Sequence, residues 1–241
     1  SLVKLGAGTL LLSGSNTFSG GLVFKGGSVA VGSDASLGAA ASPLTFHGGT
    51  LWFTNGTSNA RTLNLHGAAT IGAGSGTTIL SGLLAGSGSL TLAGAGSLVL
   101  AAANTFTGRT LLNSGTLVLG DAAALSLSTF DTSGAGRFSS GTLSAFSLGA
   151  LTGTSGSLSL QSGAQPLAVT IGANNTSSLF AGSLSGSGSI TKVGAGSLTL
   201  ASANSYTGST HLHSGVVLLG DPAALGPSGT VFFNGGTLTY G

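Results

Sequence analysis

Apolar and polar residues alternate in short runs along the whole chain, broken every few positions by Gly, Ser, Asn or Thr. Leu10 and Leu12 flank Leu11, and the same frame returns as Leu98, Val99, Leu100 and as Leu198, Thr199, Leu200. Two fixed apolar positions around a variable one mark a strand with one face in a core, because successive strand side chains point to opposite sides. By the same reasoning Phe24, Leu112 and Leu212 face inward, and Lys25, Asn113 and His213 face outward. Gly-Ala-Gly, Ser-Gly and Asn-Thr pieces separate the strands; they suit turns that need a positive φ or a side chain bonding its own backbone. No stretch carries a 3.6-residue apolar period with caps, so almost no helix is expected.

The strands recur in blocks. Residues 1–37, 89–125 and 189–225 align at offsets of 88 and 100 residues. The alignment superposes Gly6, Gly94 and Gly194, then Gly8, Gly96 and Gly196, then the leucines above. It continues through Asn16, Asn104 and Asn204, the aromatics Phe18, Phe106 and Tyr206, and Gly20, Gly108 and Gly208. Between these blocks, IGAGSGTT from Ile71 matches IGANNTSS from Ile171, and FHGGTL from Phe46 matches FNGGTL from Phe233. The chain reads as one segment, 1–241, made of units 1–88, 89–188 and a partial 189–241. Self-similarity of this kind marks a solenoid or a propeller.

Repeat length favours the solenoid. An 88-residue unit divides into four turns of 22, the length of a coil with three short strands and three bends. A 12-residue expansion in the second unit would disturb the closure of a propeller, whereas a solenoid tolerates it because each coil touches only its neighbours. The expectation is an all-β, right-handed parallel β-helix of about 11 coils, on the order of 50 Å long at ~4.8 Å per coil. Residues 126–170 are the least repeat-like, and a loop or extra strand is expected there.

Composition agrees and excludes other classes. Gly supplies 45 of 241 residues and charged residues only 4%, while 41% are hydrophobic. Disorder needs the opposite balance, and a collagen needs more than the 4 Pro present. Lys4, Lys25, Arg61, Arg109, Arg137 and Lys192 are scattered, without the clustered basic face that nucleic acid requires. Cys is absent, so packing and hydrogen bonds alone must stabilise the fold. The first residues do not form a signal peptide and no apolar run is long enough to span a membrane as a helix; any targeting segment is expected outside this fragment.

The order G-A-G-[ST]-L-x-L, then [AS]-N-[TS]-[FY]-[TS]-G, then [SG]-G-x-[LV]-x-[LV]-G runs from Gly6 to Gly32, Gly94 to Gly120 and Gly194 to Gly220. It resembles the passenger-associated transport repeat of bacterial autotransporters. The resemblance implies a β-helical passenger that reaches the cell surface, or is secreted, after crossing periplasm and outer membrane. The partners it implies are the protein's own C-terminal outer-membrane β-barrel, outside this fragment, and the outer-membrane assembly machinery. In that family such repeats lie between the effector part and the barrel and assist secretion.

Candidate chemistry is thin. His211 and His213 would share one strand face, but Val23, Lys25, Leu111 and Asn113 stand at the aligned positions, so a metal site is not expected. The carboxylates are Asp34, Asp121, Asp131 and Asp221, with no Glu; Asp34, Asp121 and Asp221 follow strand-ending glycines and read as turn residues. Asn16, Asn104 and Asn204 read as turn or cap residues, and Trp52 with Phe53 as ordinary packing. Neither catalytic residues nor a cofactor are expected, and no enzyme. The favoured function is a structural stalk that promotes export and displays an effector. The alternative is an adhesive or self-associating rod, using outward Leu11, Val23, Val99 and Leu111 along its sides or the exposed strand edges at its coil ends.

Overall fold

Strands of two to eight residues follow one another across tight bends, and nearly all pair in parallel with the strand one coil away. The structure, a computed structural model, describes residues 1–227 and 230–241. It is a parallel β-solenoid of about 11 turns spaced about 21 residues apart. Among the described residues helix is confined to one 3-10 turn, Asp34–Leu37.

Each coil passes through three faces. The first carries Leu2–Lys4, Leu22–Phe24, Leu44–Phe46, Leu63–Leu65 and Leu84–Gly86. The second begins at Thr9–Leu12, and its twelve-stranded sheet steps back onto the first face where Leu125–Asp131 and Ala145–Thr152 bend round the corner, to end there at Val231–Phe233. The third carries Ser58–Asn59, Thr77–Leu80, Ser97–Leu100, Thr116–Leu119 and Arg137–Ser139. Towards the C-terminus a four-stranded sheet takes over the second face, from Ser178–Phe180 through Ser197–Leu200 and Val216–Leu219 to Thr237–Tyr240.

In-register pairing stacks like on like. Leu22, Leu44, Leu63 and Leu84 follow one another up the first face, all at 0% exposure. Phe24 lies flat on Phe46, with ring centroids 4.2 Å apart and planes 6° from parallel. Each buried leucine contributes about 1.5–3 kcal/mol by leaving water, which is how a chain of small residues without disulfides holds together. Leu98, Leu100, Leu198 and Leu200 are buried as alternation predicts. Leu10 and Leu12 face the same interior but are half-buried, because their strand pairs only with Ser28–Val31 above it.

The repeats are not in phase with the coils. The Leu10 strand lies on the second face, whereas the aligned Leu98 strand lies on the third. A spacing of 88 residues is therefore not four whole turns: at about 21 residues per turn it overshoots by about four residues, enough to carry the strand onto the next face. Residues 125–180 absorb the difference. Ala145–Thr152 pairs through Ala145–Leu148 with Ala168–Ile171, while the next residue, Gly153, bridges to Phe180. The ladder Leu111, Asp131, Thr152 is thereby passed through Gly153 and Phe180 to Leu200. The third repeat returns to the phase of the first, and the 100-residue spacing is what brings it back. A register shift between Leu125 and Thr129 marks the place.

The weakly repetitive stretch holds the extra element expected of it. Gln161–Ser162 and Gln165–Pro166 form a short antiparallel hairpin that projects from an otherwise parallel wall.

Candidate functional site

The recurring leucines lie within strands, and the recurring glycines and asparagines lie at the bends between them. Gly6, Gly94 and Gly194 turn the chain with φ of +67°, +99° and +72°, a region that favours glycine. Gly8 is exposed, while Gly96 and Gly196 are buried against the coil before them. Gly20, Gly108 and Gly208 lie close to the backbone of Ser1, Gly88 and Gly188. Phe106 and Tyr206 are fully buried and Phe18, in the first coil, is half-buried. The Tyr206 hydroxyl lies 2.6 Å from the Thr210 hydroxyl, and burial raises the phenol above its ordinary 10.0 despite that bond.

Asn104 and Asn204 bind three coils together. The Leu84 amide donates to Asn104 Oδ1 at 2.9 Å, and Asn104 Nδ2 donates to Ala124 O at 3.1 Å. The Leu184 amide and Ala224 carbonyl meet Asn204 in the same way, both at 2.6 Å. Asn16 keeps only the upper bond, Nδ2 to Ser36 O at 2.7 Å. These side chains cap the backbone of neighbouring coils some 20 residues away, which extends the turn or cap role read from the sequence.

Two lysines point inward. Lys192 is 2% exposed and Lys4 7%. Lys192 Nζ donates to the carbonyls of Val193 at 2.6 Å, Gly194 at 3.0 Å and Ser214 at 3.5 Å. Lys4 Nζ repeats this with Leu5, Gly6 and Gly26, at 2.8, 2.9 and 3.3 Å. Each ammonium thus has one carbonyl for each of its three protons. Burial lowers the Lys192 pKa from 10.5. Gly27 and Gly215 cover the cages, with φ of +63° and +70°, and a Cβ on either would collide with one cage carbonyl, Gly6 O or Gly194 O, and with the lysine Nζ.

Arg61, which reads as one of several scattered charges, is 2% exposed and organises the coils around the 3-10 turn. Its Nε donates to Asp34 Oδ1 at 2.8 Å, and its other nitrogens reach Asp34 Oδ2 and the carbonyls of Asp34, Gly38, Ala39 and Ser42. Asp34 also accepts from Asn59 Nδ2 at 2.8 Å. It therefore departs from the expected local turn role: its carboxylate is held by side chains 25 and 27 residues away. Asp121 and Asp221 are turn residues as expected, each accepting an amide two residues on at 2.7 Å. Asp131 accepts the Ser133 amide at 2.8 Å and Arg109 Nε at 2.7 Å. All four carboxylates are thus committed to holding backbone or arginine.

His211 stacks on Phe232, centroids 4.8 Å apart, and His213 Nε2 lies 3.3 Å from Asn234 Nδ2. His47 and His66 stack at 5.3 Å. Among the described residues no group of three or more His, Cys, Asp or Glu converges as a metal site would require. Trp52 lies across Gly72 of the next coil, whose backbone the indole covers so closely that no Cβ would fit, and Phe53 is buried. Leu11 is 67% exposed, whereas Val23, Val99 and Leu111 are half-covered by the ladder residues beside them.

These features define a class: a parallel β-solenoid whose recurring residues tie each coil to the next. Residues 2–31, 90–119 and 190–219 match the family model of the passenger-associated-transport repeat. The chain carries three such repeats, and the repeat family and the solenoid together fit an autotransporter passenger stalk. No curated protein and no solved structure matches the chain.

Proposed function

We propose that this chain is the structural stalk of an autotransporter passenger, which promotes its own export and folding across the outer membrane and displays an effector region at the cell surface. The observation that carries the reading is the setting of the three repeats: each lies inside one wall, and the bonds of Asn104 and Asn204 run to the coils on both sides. A coil that emerges from a pore finds bonds waiting on the coil already folded, so folding free energy arrives in small steps. The periplasm offers no ATP, and such steps would bias the chain outward. Absence of Cys and only 4 Pro leave few slow events to stall a threading chain. The role is non-catalytic, which accords with the structural commitments of the four Asp residues. Its partners would be the protein's own C-terminal β-barrel and the outer-membrane assembly machinery.

Self-association is the second reading, and one observation favours it. Leu83 and Leu179, well inside the chain, stand exposed on the outside of the coils. Deleting the segment equivalent to 89–241 from the parent protein tests both. A fall in surface-exposed upstream passenger, with the barrel still inserted, supports the stalk. Unchanged surface levels with lost clumping or adhesion overturn it in favour of self-association.

A further inference from the structure

Each strand in the wall of a parallel solenoid spends alternate backbone groups on the coil below and the coil above. At one place the upper set finds no coil. Arg137–Ser139 pairs only with Thr116–Leu119, and Ser157–Ser159, the next pass of the chain, pairs only with Ser183–Ser185. The Arg137 amide donates downward to Gly115 O at 2.7 Å, so the amide and carbonyl of Phe138 point into the break. On the far side the Ser183 amide donates to Gly156 O at 3.0 Å and the Leu160 amide to Ser185 O at 2.7 Å. That leaves the backbone groups of Ser157 and Ser159 facing back across the break.

A cavity of about 550 Å³ opens there, lined by Phe130, Phe138, Ser139, Ser157, Ser159 and Gln161. Its volume lies inside the range of about 300–1,000 Å³ usual for ligand sites. The Gln161–Pro166 hairpin stands at its rim, tied to the coil below by Ser162 Oγ donating to Gly141 O at 3.1 Å. Arg137 is exposed at the mouth and has no carboxylate partner among the described residues.

We propose that this break in the wall binds an extended peptide strand, which adds to the two facing strand edges. Backbone edges with alternating donors and acceptors select an extended backbone and supply the affinity; side-chain seats supply the choice of sequence. Phe138, half-buried, offers an apolar seat, and Arg137 favours an acidic residue at the open end. The site goes beyond the stalk function and stands or falls independently of it.

The test uses the full 241-residue chain, isotope-labelled, and a synthetic peptide of residues 114–121, Ser-Gly-Thr-Leu-Val-Leu-Gly-Asp, which contains the strand that already pairs with Arg137–Ser139 on its other edge. The peptide is expected to shift the Phe138, Ser157 and Ser159 amide resonances and to slow their hydrogen exchange. The same peptide N-methylated at alternate residues should not. Arg137→Glu should weaken binding about tenfold, the size of one charge-assisted hydrogen bond, with the thermal midpoint unchanged. Should that variant unfold, the N-methylated peptide makes the comparison on unaltered protein. The proposal is overturned if those amides do not respond, if the N-methylated peptide acts equally well, or if maltotetraose protects them where the peptide does not, which would make the cleft a saccharide site.

Discussion

Leu10 and Leu98 hold the same place in two copies of one repeat, yet Leu98 lies one face further round the coil than Leu10. Residues on the outside of the first two copies therefore point in different directions, while their inward residues fill the same core. What the copies share is accordingly internal: glycine corners, stacked leucines and the asparagine that spans neighbouring coils. A ligand-binding repeat would gain from a common outward direction; a repeat that secures each coil to the next does not need one.

Asn104 gives that idea a measurable form. Asn104→Ala leaves the Leu84 amide and the Ala124 carbonyl unpaired, and Asn104 itself is 4% exposed. The expected cost is about 2–6 kcal/mol, from two buried backbone groups at roughly 1–3 kcal/mol each. Asn16→Ala breaks a single bond at a half-buried site and should cost about 1 kcal/mol. Urea unfolding of the two variants compares them directly.

Lys192 and Tyr206 should give alkaline stability two opposing slopes. Burial lowers the Lys192 pKa from 10.5, so just below 10.5 the unfolded chain holds more protons and stability rises with pH. Burial raises Tyr206 above 10.0, so the unfolded chain loses that proton first and stability falls as pH climbs past 10.0. The second repeat supplies the replacements, since Leu92 and Phe106 stand at the aligned positions. Lys192→Leu should remove the rise and Tyr206→Phe the fall, read as unfolding free energy from neutral to strongly alkaline pH.

Thr78 occupies a core position directly below Leu98, and among the described residues its hydroxyl is buried without a partner. Thr78→Val keeps the shape and removes the unpaired oxygen. Unfolding free energy should rise by about 1–3 kcal/mol.

The buried Arg61 pairs with the partly exposed Asp34, and each nitrogen of the guanidinium has an acceptor. Asp34→Ala leaves that charge without its counter-ion and should cost about 3–5 kcal/mol. Arg61→Lys should also destabilise, since an ammonium cannot reproduce the fork. A lower thermal midpoint in both variants is the expected reading.

The parallel solenoid and its core were legible because alternation states which side chain faces inward, and three copies repeat the statement. Lys4 and Lys192 were equally legible in principle. They alternate with Leu2 and Ile190 and align with Leu92, but their charge argues for the surface unless three carbonyls can be foreseen at the corner. Arg61 had no such signal: its acceptors come from a turn 19 to 27 residues earlier, and only folding brings them together. The phase of the repeats was hidden as well, because the alignment reports an 88-residue spacing and not the number of turns it contains.

Export driven by coil-by-coil folding is tested most directly by measuring surface-exposed passenger for Asn104→Ala, Asn204→Ala and the double variant in the parent protein, against the stability of each purified segment. Surface exposure is expected to fall in the order in which stability falls, with the double variant lowest. Surface exposure that stays at the wild-type level while stability drops would contradict it, and would leave these repeats as passive links in the wall.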